Sequence, residues 1–269
     1  MKKGIRGHDV RATGLKNIDK ACNEVGIEYI QLVLEKSIED FPQGAYSPEY
    51  AKKIKDELPN TKISILGSYI NPSDPNEETL RVSIERFKEK IRYATVLNPI
   101  AVGTETGMYI EGKTHTEEAY QHLLKTVKEL VFEGEKYGVD VAIEGVHLFV
   151  INTPQIMERL MNDVNSDNIK VIFDPCNLIN MKNYKEQDKI INDMFDLVGD
   201  KIVAIHAKDF SVENGEMKHA DLGEGMLNYK LIFEKMREHK LDIPIICEGY
   251  NEDEAREAFF KFEALNKVI

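Results

Sequence analysis

The sequence predicts a single-domain α/β fold, a (β/α)8 or TIM barrel. Eight short apolar runs alternate with longer stretches of helical periodicity, which is the order expected of parallel strands joined by helices. The length of 269 residues also suits this fold, because such barrels need about 250 residues. No linker-like stretch divides the chain, so we expect one domain over residues 1–269.

The predicted strands are rich in Ile and Val, as expected of parallel strands that are buried on both faces. No G-x-G-x-x-G motif follows the first of them, which argues against a doubly wound dinucleotide-binding sheet. In chain order the predicted strands cover residues 3–7, 29–34, 62–67, 99–103, 139–144, 169–174, 201–206 and 243–248.

The predicted helices have an apolar stripe and marked ends. Ser-Pro at 47–48 and Thr-Pro at 153–154 each place a capping hydroxyl before a proline at the first helical position. Gly138 and Gly199 follow helical stretches and are expected to end them. The stripe is clearest in the third long helical stretch, at Leu80, Ile84, Phe87, Ile91 and Ala94.

Composition and charge narrow the expected partners and location. The formal net charge of −12 argues against nucleic acid, whose binding needs concentrated Lys and Arg. The three cysteines are far apart and have no C-x-x-C spacing, which is typical of a reducing compartment. The N-terminus turns polar too early for a signal peptide, and no apolar run approaches the roughly 18 residues that span a bilayer. We therefore expect a cytoplasmic protein without a membrane partner.

The last four predicted strands each end in a residue that can ligate a metal: Glu144, Asp174, His206 and Glu248. Strand C-termini form a ring at one mouth of a barrel, so these side chains should converge. A single acid at a strand end is often only the first polar residue of a loop, but four in succession are hard to obtain by chance. Three carboxylates and one imidazole suit one divalent ion, Mn²⁺ first, with Mg²⁺, Co²⁺ or Zn²⁺ as alternatives.

Other polar residues near the strand ends are candidate substrate contacts. Asn177 is placed to bind a substrate hydroxyl or to form an Asx turn. Lys208 is placed to hold a substrate oxygen or to pair with Asp209 at the rim. Long loops follow the fourth and seventh predicted strands, at residues 103–115 and 211–225, and such loops form barrel active sites. The remaining candidates near the mouth are Glu105, His147 and His219.

These motifs resemble the xylose-isomerase-like TIM barrel superfamily, and within it the sugar (phosphate) isomerase/epimerase group, over nearly the whole chain. The resemblance lies in Ala-Ile-Glu144, Phe-Asp174-Pro-Cys-Asn177, Ile-His206-Ala-Lys208-Asp209, Gly223-Glu-Gly225 and Ile-Cys-Glu248. In ketose 3-epimerases of this group the metal ligands are Glu, Asp, His and Glu, which fall here on Glu144, Asp174, His206 and Glu248. The same resemblance makes Glu144 and Glu248 the acid/base pair.

The chain departs from the epimerase pattern at two positions. Asn177 stands where those epimerases usually have a His, and Lys208 stands where they usually have an Arg shortly after the metal-binding His. In the family, the His and the Arg at these two positions both contact substrate oxygens. The resemblance therefore implies an intact metal site and leaves the sugar, its phosphorylation state and the type of reaction open.

The expected activity is metal-dependent isomerisation or epimerisation of a sugar or sugar phosphate. A metal-bound enediolate would form when one glutamate removes a proton, and the other glutamate would return it. The alternatives are a metal-dependent dehydratase of a polyol such as an inosose, an apurinic endonuclease-like metallohydrolase, and a binding barrel without catalysis. No residue pattern identifies a subunit interface, so the oligomeric state, including a homo-oligomer, stays open.

Overall fold

The computed structural model describes residues 1–268, which form a closed barrel of eight parallel strands surrounded by helices. The predicted (β/α)8 barrel is therefore confirmed. Residue 269, the last of the predicted domain, lies outside the described residues. Within residues 1–268 no helix is both long enough and apolar enough to cross a membrane.

Every predicted strand corresponds to a barrel strand. The largest difference is at the fourth, which begins and ends two residues later than predicted, so that Glu105 is its last residue. The barrel strands are β1 Lys2–Arg6, β2 Tyr29–Leu32, β3 Lys62–Gly67, β4 Ala101–Glu105, β5 Val141–Glu144, β6 Ile169–Phe173, β7 Ile202–Ala207 and β10 Pro244–Cys247. The barrel closes where β1 pairs with β10, from Lys2 opposite Pro244 to Ile5 opposite Cys247.

Within residues 1–268, ten α-helices pack around the strands or lie in the loops that connect them. The bounds are α1 Leu15–Glu24, α2 Leu34–Ser37, α3 Pro48–Asp56, α4 Glu77–Leu97, α5 Glu117–Tyr137, α6 Pro154–Val164, α7 Pro175–Leu178, α8 Gln187–Val198, α9 Tyr229–Glu238 and α10 Glu252–Val268. Short 3₁₀ turns lie at Gly7–Asp9, Tyr184–Glu186 and Gly199–Lys201.

The helix ends follow the predicted capping residues with one exception. Ser47 Oγ accepts the backbone N–H of Tyr50 at 3.0 Å, and Thr153 caps α6 in the same way. Gly138 ends α5 with a left-handed φ of 65°, which glycine adopts without steric penalty. Gly199 also ends a helix as predicted, since α8 stops at Val198, and it is the exception only in conformation, because its φ is −56° and it leads into a 3₁₀ turn.

The barrel interior is a packed layer, not a channel. Its buried members come from seven of the eight strands: Tyr29, Ile65, Ala101, Ala142, Ile172, Ala204 and Ile246. The layer combines four large residues with three alanines, and such a mixture of sizes lets side chains from opposite strands fill the interior. Gly103 belongs to the small set, because a Cβ there would lie 2.6 Å from Ile65 Cγ2 and 2.7 Å from Ile172 Cδ1. This layer fills the barrel interior below the C-terminal ends of the strands.

The loop predicted after the seventh strand contains a β-hairpin, formed by β8 Phe210–Glu213 and β9 Glu216–His219. Asn214 and Gly215 connect its strands with φ of 53° and 80°. Asn-Gly is the preferred pair for a two-residue hairpin turn that needs positive φ at both positions. The motif is visible in the sequence, so the description of this segment as a plain loop was incomplete.

Candidate metal centre

The four predicted metal ligands meet at the C-terminal mouth of the barrel. Glu144 ends β5, Asp174 follows β6, His206 lies in β7 and Glu248 follows β10. One ligand atom from each residue can be chosen so that all four lie within 4.8 Å of one another. Since metal–ligand distances are roughly 2.0–2.2 Å, ligands of one ion lie at most about 4.4 Å apart, so a small shift would accommodate an ion.

His206 is the centre of this group. Its Nδ1 lies 3.2 Å from Glu144 Oε1 and 3.0 Å from Glu248 Oε2. The same atom is 3.9 Å from Asp174 Oδ2. His206, Glu144 and Asp174 are at most 1% exposed, so their charges are shielded from water and must be balanced by neighbours.

Protonated side chains balance these carboxylates in the described structure. Burial opposes a charge on His206, but Glu144 and Glu248 outweigh it and raise the pKa of His206 to about 10. Burial likewise opposes the charge of Lys208, yet Asp174 and Glu248 hold its pKa above the usual value. Burial raises the pKa of Glu248, but His206, Lys208 and Arg6 outweigh it, so that this pKa falls well below normal.

Asp174 provides an observation that fits a metal ligand. Its Oδ1 accepts the backbone N–H of Asn177 at 3.0 Å. Its Oδ2 is buried and accepts no hydrogen bond, although Lys208 Nζ lies 2.9 Å away. An ion pair that is not also a hydrogen bond leaves a buried carboxylate oxygen only partly satisfied. Coordination of a cation by Oδ2 would satisfy it, and three carboxylates with an imidazole form a suitable donor set.

Asn177 and Lys208 contact the ligand group directly. Asn177 Nδ2 donates to Glu144 Oε1 at 2.7 Å, and Lys208 Nζ donates to Asn177 Oδ1 at 3.2 Å. Lys208 Nζ also lies 2.8 Å from Glu248 Oε1. The structure therefore places both predicted substrate contacts beside the ligands, and their contact with substrate stays a prediction.

The other three candidate contacts lie at different distances from the centre. Glu105 pairs in register with Glu144, and burial together with Glu144 and Glu248 raises its pKa to about 7. His147 Nδ1 lies 3.0 Å from the backbone oxygen of Asn177. It therefore contacts a neighbour of the four candidate ligands, since Asn177 donates to Glu144. His219 is exposed on β9 and stacks on Tyr250.

Asp209 is not the rim partner of Lys208 that the sequence suggested as an alternative. Its side chain is 3% exposed, and one carboxylate oxygen accepts the backbone N–H groups of Gly223 and Gly225, each at 3.0 Å. The other oxygen accepts the N–H groups of Phe210 and Leu227. The loop of residues 223–225, the glycine loop, therefore binds this internal carboxylate with its backbone N–H groups.

Residues at the ends of the first strands complete the centre, and none of them was predicted from the sequence. Arg6 donates from Nη1 to Glu248 Oε1 at 2.8 Å. Gln31 Oε1 accepts from His206 Nε2 at 2.6 Å, and Gln31 Nε2 donates to the Tyr69 hydroxyl. The bond from Gln31 leaves Nδ1 of His206 as the nitrogen that faces the carboxylates. A polar Gln within the apolar run 29–34 was the available indication.

A cavity of about 200 Å³ opens beside the ligand group. Carboxylates and cationic side chains both line it, so its surface is strongly polar. The residues that line it are Arg6, His8, Gln31, Lys36, Tyr69, Glu105, Glu144 and Glu248.

Comparison with known proteins identifies the family. A family described as "Xylose isomerase-like TIM barrel" matches residues 20–264. The chain belongs to this family. An uncharacterised protein of Methanocaldococcus jannaschii is 27% identical over 190 residues, which cover 68% of this chain and 62% of that protein. The matched part thus spans less than two thirds of that relative's length.

Solved structures of several proteins share the fold over nearly the whole chain. A D-tagatose 3-epimerase-like protein has a TM-score of 0.80 at 20% identity, covering 100% of this chain and 98% of that one. D-psicose 3-epimerase from Clostridium cellulolyticum, solved with D-tagatose, has a TM-score of 0.77 at 15% identity and 99% coverage of both chains. The IolI protein with a bound zinc atom has a TM-score of 0.74 at 20% identity, covering 100% and 97%.

Proposed function

We propose that this protein is a metal-dependent isomerase or epimerase of a sugar or sugar phosphate. The observation that carries the proposal is the position of two glutamates on one histidine: Glu144 Oε1 and Glu248 Oε2 lie 3.2 and 3.0 Å from His206 Nδ1. Family membership and the ketose 3-epimerases among the structural neighbours support it.

Glu144, Asp174, His206 and Glu248 are the residues that would hold one divalent ion. Mn²⁺ is the ion we favour, because the donor set has three oxygens and one nitrogen, and Mg²⁺, Co²⁺ and Zn²⁺ are the alternatives. When bound, the ion would act as a Lewis acid that polarises the substrate carbonyl and acidifies the neighbouring C–H group.

The two glutamates would then act as base and acid toward the substrate. One carboxylate removes the proton from the carbon next to the carbonyl, which leaves an enediolate, and the other carboxylate returns a proton. Return to the opposite face of the same carbon gives epimerisation, and return to the neighbouring carbon gives isomerisation. His206, Lys208 and Arg6 keep Glu248 ionised, so Glu248 is present as the carboxylate that the first step requires, and Glu144 is held by Asn177.

Lys208 and Asn177 would orient the substrate oxygens. Lys208 Nζ already lies within hydrogen-bond distance of three oxygens, on Asp174, Asn177 and Glu248. A substrate oxygen that replaced one of these partners would have its developing negative charge stabilised by the ammonium group. Both residues therefore position the reacting atoms.

The test is solvent-deuterium exchange into ketoses by the Mn²⁺-saturated protein and by Glu144→Gln and Glu248→Gln. We expect each variant to lose about 10²–10⁴-fold in exchange rate, the usual contribution of a general base. Glu49→Gln, at an exposed position on α3, is the matched control and should exchange normally. Undiminished exchange by either variant at equal metal content would exclude that glutamate as the base.

Analysis of the products formed in the same reactions separates epimerisation from dehydration. Both begin by removing a proton next to a carbonyl, so exchange alone does not tell them apart. Detection of a dehydrated product, with loss of water and no new epimer, would replace the isomerase proposal with a polyol dehydratase.

A further inference from the structure

The ends of the first two strands form a wall of the active-site cavity that carries several basic side chains. Arg6 ends β1, His8 follows it, and Lys36 follows β2. All three line the 200 Å³ cavity together with the carboxylates of Glu144 and Glu248. A substrate held at the glutamates would therefore extend along this basic wall.

The basic charge on this wall is only partly neutralised. Arg6 is occupied, because it donates to Asp9 at 2.6 and 2.9 Å and to Glu248 at 2.8 Å. Lys36 is exposed and forms no ion pair or side-chain hydrogen bond with any residue of the described range 1–268. Its neighbour Glu35 pairs instead with the buried Lys90. The ammonium group of Lys36 is thus available to a ligand.

Two buried polar atoms near this wall lack hydrogen-bond partners. They are Nδ1 of His8 and Oγ of Ser37, and the Ser37 side chain is only 7% exposed. Ser37 lies next to Lys36 in the chain and lines a second cavity, of about 570 Å³, which His8 and Lys36 line as well. Because His8 and Lys36 belong to both cavities, the two meet at these residues.

The charge around this junction favours an anion there and not deeper in the second cavity. After the larger effect of burial, Arg6 and Lys36 act to lower the pKa of His8, and Asp9 and Glu248 act to raise it, so the two cations near this ring are opposed in part by two carboxylates. Glu35, Glu39 and Glu57 also line the second cavity and would repel an anion, and Lys36 is the one lysine or arginine among the described residues that line it. An anionic group would therefore lie at His8 and Lys36.

We propose that the wall of Arg6, His8, Lys36 and Ser37 binds an anionic group, a phosphate or a carboxylate, on the end of the substrate remote from the reacting carbons. The inference rests on the proposed function and specifies its substrate class as sugar phosphates or sugar acids. Lys36 supplies the charge, and Ser37 and His8 supply hydrogen-bonding groups that the protein itself leaves unused.

Three probes with one carbon skeleton test the proposal: D-tagatose, D-tagatose 6-phosphate and D-tagaturonate. Dissociation constants are measured by calorimetry on metal-free and Mn²⁺-loaded protein, and deuterium exchange is followed in parallel. Wild type should bind at least one anionic probe about tenfold or more tightly than D-tagatose. Preference between the phosphate and the carboxylate identifies the source of the anion.

Variants locate the subsite. Lys36→Met should weaken binding of the preferred anion by about tenfold to a hundredfold and leave D-tagatose unchanged. Ser37→Ala should have the same selectivity with a smaller effect. Lys52→Met, at an exposed lysine on α3, is the matched control and should behave as wild type.

The inference is overturned if wild type binds D-tagatose as tightly as both anions, or if Lys36→Met weakens all three probes equally. Failure of the proposed function is a separate result, in which no ketose exchanges deuterium. In that case the binding constants alone still decide whether the anion subsite exists.

Discussion

Two aspartates near the ends of neighbouring strands, Asp174 after β6 and Asp209 beyond β7, are almost equally buried, at 1% and 3% exposed. Asp209 accepts four backbone N–H groups and so joins its own loop to the glycine loop. Asp174 accepts one such bond, and its Oδ2 accepts none. Burial therefore does not distinguish the structural carboxylate of Asp209 from the candidate ligand Asp174, whereas the number of backbone hydrogen bonds that each accepts does.

Replacement of Asp174 should give the largest effect on metal binding. Asp174→Asn removes a charged ligand, so we expect the Mn²⁺ dissociation constant to rise by more than about a hundredfold, beyond the 10–100-fold typical of outer-shell residues. The metal-free protein should stay as stable as wild type or become more stable, because burial raises the pKa of Asp174 and so disfavours its charged form in the fold. Calorimetric titration and urea unfolding measure the two quantities. Unchanged metal affinity would remove Asp174 from the ligand set.

Replacement of Asp209 should lower the stability of the fold and leave metal affinity unchanged. Asp209→Ala leaves four backbone N–H groups without their acceptor, and we expect the free energy of unfolding to fall by about 2–4 kcal/mol. Metal affinity of the protein that remains folded should match wild type. A loss of metal affinity with unchanged urea unfolding would show that the distinction between the two aspartates is false.

Gln31 differs from both aspartates, because it would affect metal binding through the candidate ligand His206. Gln31→Leu removes the acceptor for His206 Nε2, so the ring is no longer held with Nδ1 toward the carboxylates, and metal affinity should fall about 10–100-fold. Gln31→Glu keeps an acceptor and should retain most of the affinity. Equal losses in the two variants would contradict a role in orienting His206.

The pH dependence of metal binding is the smallest expected effect. His206 has a pKa of about 10 in the metal-free protein, so below that pH an ion must displace its proton. Affinity should therefore increase about tenfold for each pH unit between pH 6 and 8, and it should fall as the pH falls. Titrations in buffers of different ionisation enthalpy should also detect the released proton. Affinity independent of pH would mean that His206 is already neutral.

The later strands were predictable because their sequence marks both the strand and the position where it ends. A buried parallel strand appears as an apolar run, and its end appears as the first polar residue, so Glu144, Asp174, His206 and Glu248 were identified by type and by position. The strand-four boundary was less clear, because Gly103 and Thr104 inside the strand are not apolar markers. The hairpin of β8 and β9 was missed although Asn214-Gly215 is a typical turn pair.

The first strands were harder to interpret. Arg6 and Gln31 sit at or near strand ends, but their partners lie 242 and 175 residues away in the chain. Neither residue type indicates a metal ligand, and the function of each depends on the side chain that it meets. Sequence patterns within one strand carry no information about such a pairing.

The sequence by itself determined the alternation of strands and helices, most helix caps, and the four strand-end ligand candidates, because these depend on local periodicity and on the chemistry of single residues. Only the tertiary structure decided that β1 closes against β10, that Arg6 and Gln31 support the centre, and that Asp209 is internal while Asp174 faces the other ligands. The reason is physical: closure of the barrel brings together groups that are distant in the chain, and the donors available after closure decide which carboxylates are satisfied.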